Sequence, residues 1–169
     1  MIEGRVAIAV RKATSADADG LVSVFRAAWQ LAYSGLIPSL HLARLLARRD
    51  CAWWRNAIRT ERHLIVLEVA GTVVGYATCG KSRGLNPKSG EIYELYLEPV
   101  YQGIGLGEHL FEACRDRLDR DRLNGLIVWA LADNTEARDF YWRRGGRPCA
   151  RSTERFSGKV LEKIAYDWP

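Results

Sequence analysis

The sequence predicts a mixed α/β fold, one sheet with helices over its faces, within a single domain spanning residues 1–169. Three observations carry this expectation. Apolar runs rich in β-branched residues alternate with stretches whose apolar residues recur at helical spacing. Two pairs of such runs are joined by short turns, which makes hairpins and antiparallel pairing. One run, GLIVWALA, is apolar almost throughout, as a central strand buried on both faces should be.

The elements follow in order. RVAIAVRKAT reads as a first strand, and Thr14 or Ser15 offers an N-cap to the helix that follows. In that helix Leu21, Phe25, Ala28, Trp29 and Ala32 form one stripe, and Asp17 and Asp19 favour its positive end. SGLIP breaks it. SLHLARLLARR and CAWWRNAIR are two short helices, and HLIVLEVA and VVGYATCGK form a hairpin around the dipeptide GT. SRGLNPKSG is a loop, and EIYELYLEP is a strand stopped by Pro99. From Gly105 to about Arg120 a helix carries Leu106, Leu110, Cys114 and Leu118 on one stripe. After GLIVWALA, NTEARDFYWRRGG is a short helix with Asn134 or Thr135 at its cap and Gly145 beyond its end. RPCARSTERF and KVLEKIAYDW close the chain as a hairpin around SG.

Composition narrows the function classes. With 169 residues, 48% hydrophobic and 27% charged, the chain can bury a core without staples. The net charge of +5 is scattered or sits in short runs such as ARRD and WRRGGR, not in a stripe, so no nucleic-acid partner is expected. Cys51, Cys79, Cys114 and Cys149 include no Cys-x-x-Cys pair and no His at metal spacing, so neither a disulfide framework nor a metal site is expected. No apolar stretch approaches the roughly 20 residues of a membrane span and no cleavable leader is visible, so a cytoplasmic protein with no membrane partner is expected. Ile2–Arg5, IEGR, matches a protease-cleavage linker from an expression vector; the strand-like run that follows without a break favours a native start.

The densest chemical signal is PVYQGIGLGEHL, where Gly103, Gly105 and Gly107 alternate directly before a helix. Bare backbone followed by the positive end of a helix dipole suits an anion. The dinucleotide fingerprint needs its third glycine where Glu108 stands, and the P-loop needs Lys and Ser or Thr where Glu108 and His109 stand. Neither fits.

The segment YELYLEPVYQGIGLGEHLFEAC resembles the coenzyme-binding signature of the GCN5-related N-acetyltransferases (GNAT), met here by Gln102, Gly105 and Gly107. DNTEARDFYWRRGG is similar to the family's later motif through Asn134, Ala137, Phe140, Tyr141 and Gly145, whereas Gly146 stands where the family commonly has a large apolar residue. The resemblance implies the acyl-CoA N-acyltransferase fold, a mostly antiparallel mixed sheet with helices on both faces and a splayed central strand pair. It also implies acetyl-CoA as cofactor. Gln102, Gly103, Ile104, Gly105, Leu106 and Gly107 would meet the pyrophosphate through backbone N–H groups, Leu95, Tyr96 and Leu97 would pair with the pantetheine arm, and Asn134, Ala137, Phe140 and Tyr141 would border the coenzyme.

The implied reaction is acetyl transfer to a primary amine of a small molecule or protein, with no metal. Tyr141 would protonate the departing thiolate; alone, it would read as a packing residue beside Phe140. Glu91 and Glu94 are the candidate bases. Strict alternation puts Glu94, Tyr96 and Glu98 on one face and Glu91, Tyr93 and Leu95 on the other, and Glu94 is chosen as the residue deeper in its strand. Trp29, Tyr33, Trp53 and Trp54 come from segments that cover the acceptor side in the family, with core packing favoured for Trp29. A non-catalytic acyl-CoA sensor is the alternative reading, and a homodimer remains an open expectation.

Overall fold

The computed structural model describes residues 5–84 and 86–169. Of the Ile2–Arg5 stretch discussed above, residues 2–4 therefore lie outside the described residues. One seven-stranded sheet runs through the molecule in the order β1-β2-β3-β4-β5-β7-β6. Its strands are β1 (Ile8–Lys12), β2 (His63–Val69), β3 (Thr72–Lys81), β4 (Gly90–Leu97), β5 (Leu126–Leu131), β6 (Arg147–Phe156) and β7 (Lys159–Trp168). The helices are α1 (Ala18–Tyr33), α2 (Ser39–Arg48), α3 (Cys51–Thr60), α4 (Leu106–Arg120) and α5 (Thr135–Arg143). Among the described residues no helix is long and apolar enough to cross a membrane.

Alternation along β2 sets the two layers. Ile65 and Leu67 pack with Leu106, Leu110, Phe111 and Cys114 of α4. Leu64 and Val66 pack on the other side with Leu21, Val24 and Phe25 of α1 and Trp54 and Ala57 of α3. Leu21, Val24 and Phe25 are fully buried; each contributes about 1.5–3 kcal/mol of transfer free energy. Asp17 is not simply a charge at a helix end: its carboxylate is held by Arg11 at 2.8 Å and accepts the Thr14 N–H at 2.7 Å.

Both hairpins form, with one correction. The second turns at Ser157 and Gly158, both with positive φ, as SG predicts. The first turns one residue earlier than GT, at Ala70 (φ 50) and Gly71 (φ 82), because Ala70 takes the left-handed conformation the turn requires.

Two irregularities in β4 shape the molecule. β4 and β5 run parallel, but only Gly90, Glu91 and Ile92 pair, with Leu126, Ile127 and Val128; beyond them the strands part. All other neighbouring strands are antiparallel. Against β3, Thr78 pairs with Glu94 and Cys79 with Ile92, leaving Tyr93 as an extra residue. Such a bulge reverses the facing of everything after it.

Candidate active site

On the α4 side of the parting strands lies a cleft of about 590 Å³, lined by Leu95, Tyr96, Leu97, Gln102, Gly103, Gly105, Gly107, Asn134, Ala137 and Phe140 among others. Its floor is the start of α4. Gly105 is the N-cap at φ 87 and no side chain caps this end, which leaves the first N–H groups of the helix without partners. A Cβ on Gly103 or Gly105 would meet nothing within 4 Å, so the bare backbone there borders open space. Gly107 is different: a Cβ on it would come within 3.0 Å of Phe140 Cε2, so that glycine lets α5 close on α4. Gln102 donates from Nε2 to the Leu97 carbonyl at 3.0 Å, tying the loop to the strand it follows. Asn134 caps α5 by accepting the Ala137 N–H at 3.3 Å. Arg144 spans the cleft wall, 4.5 Å over the Phe140 ring and 2.7 Å from Glu108, with its buried Nε unpartnered.

On the other side of the sheet a cavity of about 620 Å³ is lined by Trp29, Tyr33, Glu91, Tyr93, Glu94, Tyr96 and Trp129, among others. The alternation expected for β4 is thereby corrected: the bulge at Tyr93 turns Glu91 and Glu94 to the same cavity. Glu91 is also the more buried residue, contrary to expectation, and accepts the Arg83 backbone N–H at 3.0 Å. Nor does Glu94 sit in an apolar surround. Its Oε1 accepts from Arg49 Nη1 at 2.7 Å and from the Tyr76 hydroxyl at 2.9 Å. Tyr76 in turn accepts from Trp29 Nε1 at 3.2 Å, so Trp29 serves the cavity wall as well as the core.

Tyr96 borders both the cleft and the cavity, four residues beyond the last pair of β4 with β5. Its hydroxyl shares a short hydrogen bond with Tyr33, whose phenol burial pushes up to about 12. Burial also raises the phenols of Tyr76 and Tyr96 well above their ordinary value. Tyr33 and Tyr96, which line the cavity, are thus neutral phenols hydrogen-bonded to each other, and Tyr76 is a third behind Glu94.

Residues 25–145 match the family model described as the acetyltransferase (GNAT) family. The chain belongs to this family. An uncharacterized N-acetyltransferase of Archaeoglobus fulgidus is 29% identical over 136 residues, 78% of this chain and 88% of that protein. A mycothiol acetyltransferase of Pseudarthrobacter chlorophenolicus is 32% identical over 109 residues, 63% of this chain but only 32% of that longer protein. Among solved structures, the PaiA N-acetyltransferase of Thermoplasma acidophilum in complex with coenzyme A superposes with a TM-score of 0.76 at 17% identity, covering 96% of this chain and 99% of that one.

As a GNAT acyltransferase the chain keeps the family's splayed strand pair, and most of the residues expected at the coenzyme line one cleft. Three are placed otherwise and do not line the cleft: the side chains of Leu106 and Tyr141 are buried in the core, and that of Ile104 is exposed. Tyr141 is buried among Phe140, Tyr166 and Trp168, at centroid distances of 5.3, 6.3 and 6.0 Å, and its side chain borders neither cavity. Burial raises its phenol well above the ordinary value, and nearby Tyr33 adds to the shift, so Tyr141 is a neutral donor at any physiological pH. At Gly146 the GNAT pattern's large side chain is replaced from elsewhere: a Cβ there would fall 2.5 Å from Trp168 Cζ2, so the Trp168 indole fills the space. Arg49, Arg83, Trp129 and Lys163, which line the cavity, and Tyr76, which stands behind Glu94, escape the sequence reading. They carry no motif, and only the fold brings them together.

Proposed function

We propose that this GNAT member is an acetyl-CoA-dependent N-acetyltransferase that acts on a primary amine held in the 620 Å³ cavity, by direct transfer through the gap between β4 and β5. The observation that carries the reading is the meeting of two cavities at Tyr96, one floored by an uncapped helix N-terminus and the other lined by carboxylates. Acetyl-CoA, when bound, supplies the acetyl group as an activated thioester.

The residues of the cleft suit such a ligand. The N–H groups at Gly103–Gly107 and the dipole of α4 would hold its pyrophosphate. The backbone of Leu95–Leu97, beyond the last pair with β5, is free to take the amides of its arm as an added strand would. Asn134, Ala137 and Phe140 border it.

On the acceptor side Glu94 takes the amine proton. Its Oε2 has only a 3.2 Å contact from Arg49, whereas Oε1 is engaged twice, so Oε2 is the atom with lone pairs to offer. Glu91 is the second candidate, since it borders the same cavity. Tyr141 is the proposed donor to the departing sulfur: its phenol is neutral, and because its side chain borders neither cavity it would have to turn towards the cleft to reach that atom. A screen of thiol release from acetyl-CoA across small amines, amino acids and peptide N-termini tests the proposal: amine-dependent release is expected. Tight acetyl-CoA binding with no release by any amine would instead favour a non-catalytic sensor.

A further inference from the structure

The acceptor cavity contains two cations that the fold holds in place and leaves unpaired. The Arg83 guanidinium lies 3.6 Å over the Tyr93 ring, and Lys163 Nζ lies 4.9 Å from the centre of the Trp129 ring. One comes from the loop after β3 and backs onto β4; the other projects from β7 beside β5, so the pair flanks the cavity on both sides of the parting strands. Stacking on aromatic faces fixes where each charge sits, at about 0.5–1 kcal/mol for an exposed pair.

The remaining charges of the lining are accounted for as follows. Arg49 is committed to Glu94 and Arg151 to Glu162. Glu91 is occupied by the Arg83 backbone N–H. Among the described residues Glu154 forms no ion pair, and neither do Arg83 and Lys163. The cavity thus offers two free cations together with carboxylates, and its volume suits a small molecule.

These charges discriminate between acceptor classes. An apolar monoamine would strip water from Arg83 and Lys163 without replacing it. A polyamine would set its second ammonium beside them, like charge against like. An acidic group satisfies both, and Arg suits a carboxylate or phosphate in particular because its planar fork matches their geometry. We propose that the acceptor is a small amphoteric amine: its acidic group is bound by Arg83 and Lys163 while its amino group lies at Glu94 beside the gap. This rests on the transferase reading above and adds a class of substrate to it.

The test uses matched pairs, ω-amino acids of four carbons and longer, each with its carboxamide, so that the amino groups are alike and only the far charge differs. Thiol release from acetyl-CoA is expected to favour the acid of at least one pair by about tenfold or more in kcat/KM, chiefly through KM. Arg83→Gln and Lys163→Gln should each narrow that preference to within about threefold. A second readout needs no turnover: with no coenzyme present, titration with the favoured acid should change the intrinsic tryptophan fluorescence saturably, a change lost in Trp129→Phe, with an affinity weakened about tenfold by Arg83→Gln. Saturable, Arg83-dependent binding without thiol release would uphold the acidic subsite and sink the transferase reading. Equal use of acids and amides, or a preference that survives both substitutions, would sink the subsite and leave the transferase reading standing.

Discussion

Arg49 grips Glu94 from inside an aromatic box. Its Nη1 lies 2.7 Å from Glu94 Oε1 and 3.2 Å from Oε2, and its guanidinium carbon lies within 5.7 Å of the ring centres of Phe25, Trp29, Trp53 and Trp54. Arg49 is one of the two residues between α2 and α3, so this side chain fastens the helical corner to β4 and orients the carboxylate facing the cavity.

Because both partners are mostly shielded, with side-chain exposures of 15% and 19%, removing either leaves the other poorly solvated. Arg49→Met keeps the stem and deletes the charge. In a double-mutant cycle with Glu94→Gln, measured by urea unfolding, the pair should show a coupling of about 0.5–3 kcal/mol. Strict additivity would reduce the contact to an incidental one.

Glu94→Gln keeps size and hydrogen-bonding atoms but abolishes proton acceptance, so turnover should fall about 10²-fold or more with acetyl-CoA binding little changed. Glu91→Gln is the matched comparison, since both carboxylates border one cavity. The larger loss identifies the base, and a larger loss at Glu91 would overturn the assignment made here.

That comparison exists because the sequence misleads at this point. Element order and both hairpins were legible, since apolar periodicity and turn dipeptides are local properties. A bulge is not: alternation assumes an unbroken strand, and the extra residue at Tyr93 appears only in the pairing with Thr78 and Cys79. The signature glycines were legible as a cradle, yet Gly107 owes its lack of a side chain to Phe140, which lies 33 positions away in the sequence. Likewise nothing in ARRD marks Arg49 as the partner of a residue 45 positions on.

Those two glycines should therefore respond differently. Gly105→Ala places a methyl group in open space at a φ of 87, costing about 1–2 kcal/mol in strain. It should leave a folded protein whose acetyl-CoA affinity, by calorimetry, is at least about tenfold weaker, because the cradle must re-form around Cβ. Gly107→Ala instead pushes on the Phe140 ring, so its main effect should be a lower Tm. Unchanged affinity in Gly105→Ala would remove the pyrophosphate from this loop.

Stability should also depend on acid through Asp121, which closes α4. Its carboxyl is held down at about 2, first by hydrogen bonding to Arg62 and then by His63. A folded value below the unfolded value of about 4 means that the stabilisation is present above pH 4 and is lost as pH falls towards 2. Asp121→Asn should lower Tm at neutral pH and flatten its decline between pH 4 and 2. Part of the slope should survive, because Arg11 also lowers Asp17. A variant with the parent's full slope would show that Asp121 contributes nothing to it.

Tyr141→Phe deletes one hydroxyl and keeps the ring against Phe140, Tyr166 and Trp168. Packing and coenzyme affinity should change little, while loss of proton donation to the departing sulfur lowers turnover roughly 10²-fold. The affected step can be isolated by the leaving group. A thioester of a more acidic thiol departs without needing a proton, so it should restore much of the lost rate in the variant and gain little in the parent. The difference between the two proteins is the informative quantity, because a substitution that only loosened the site would slow both thioesters by the same factor. Equal slowing, or full activity with acetyl-CoA, would return Tyr141 to the core as a packing residue and leave the sulfur to be served by another donor.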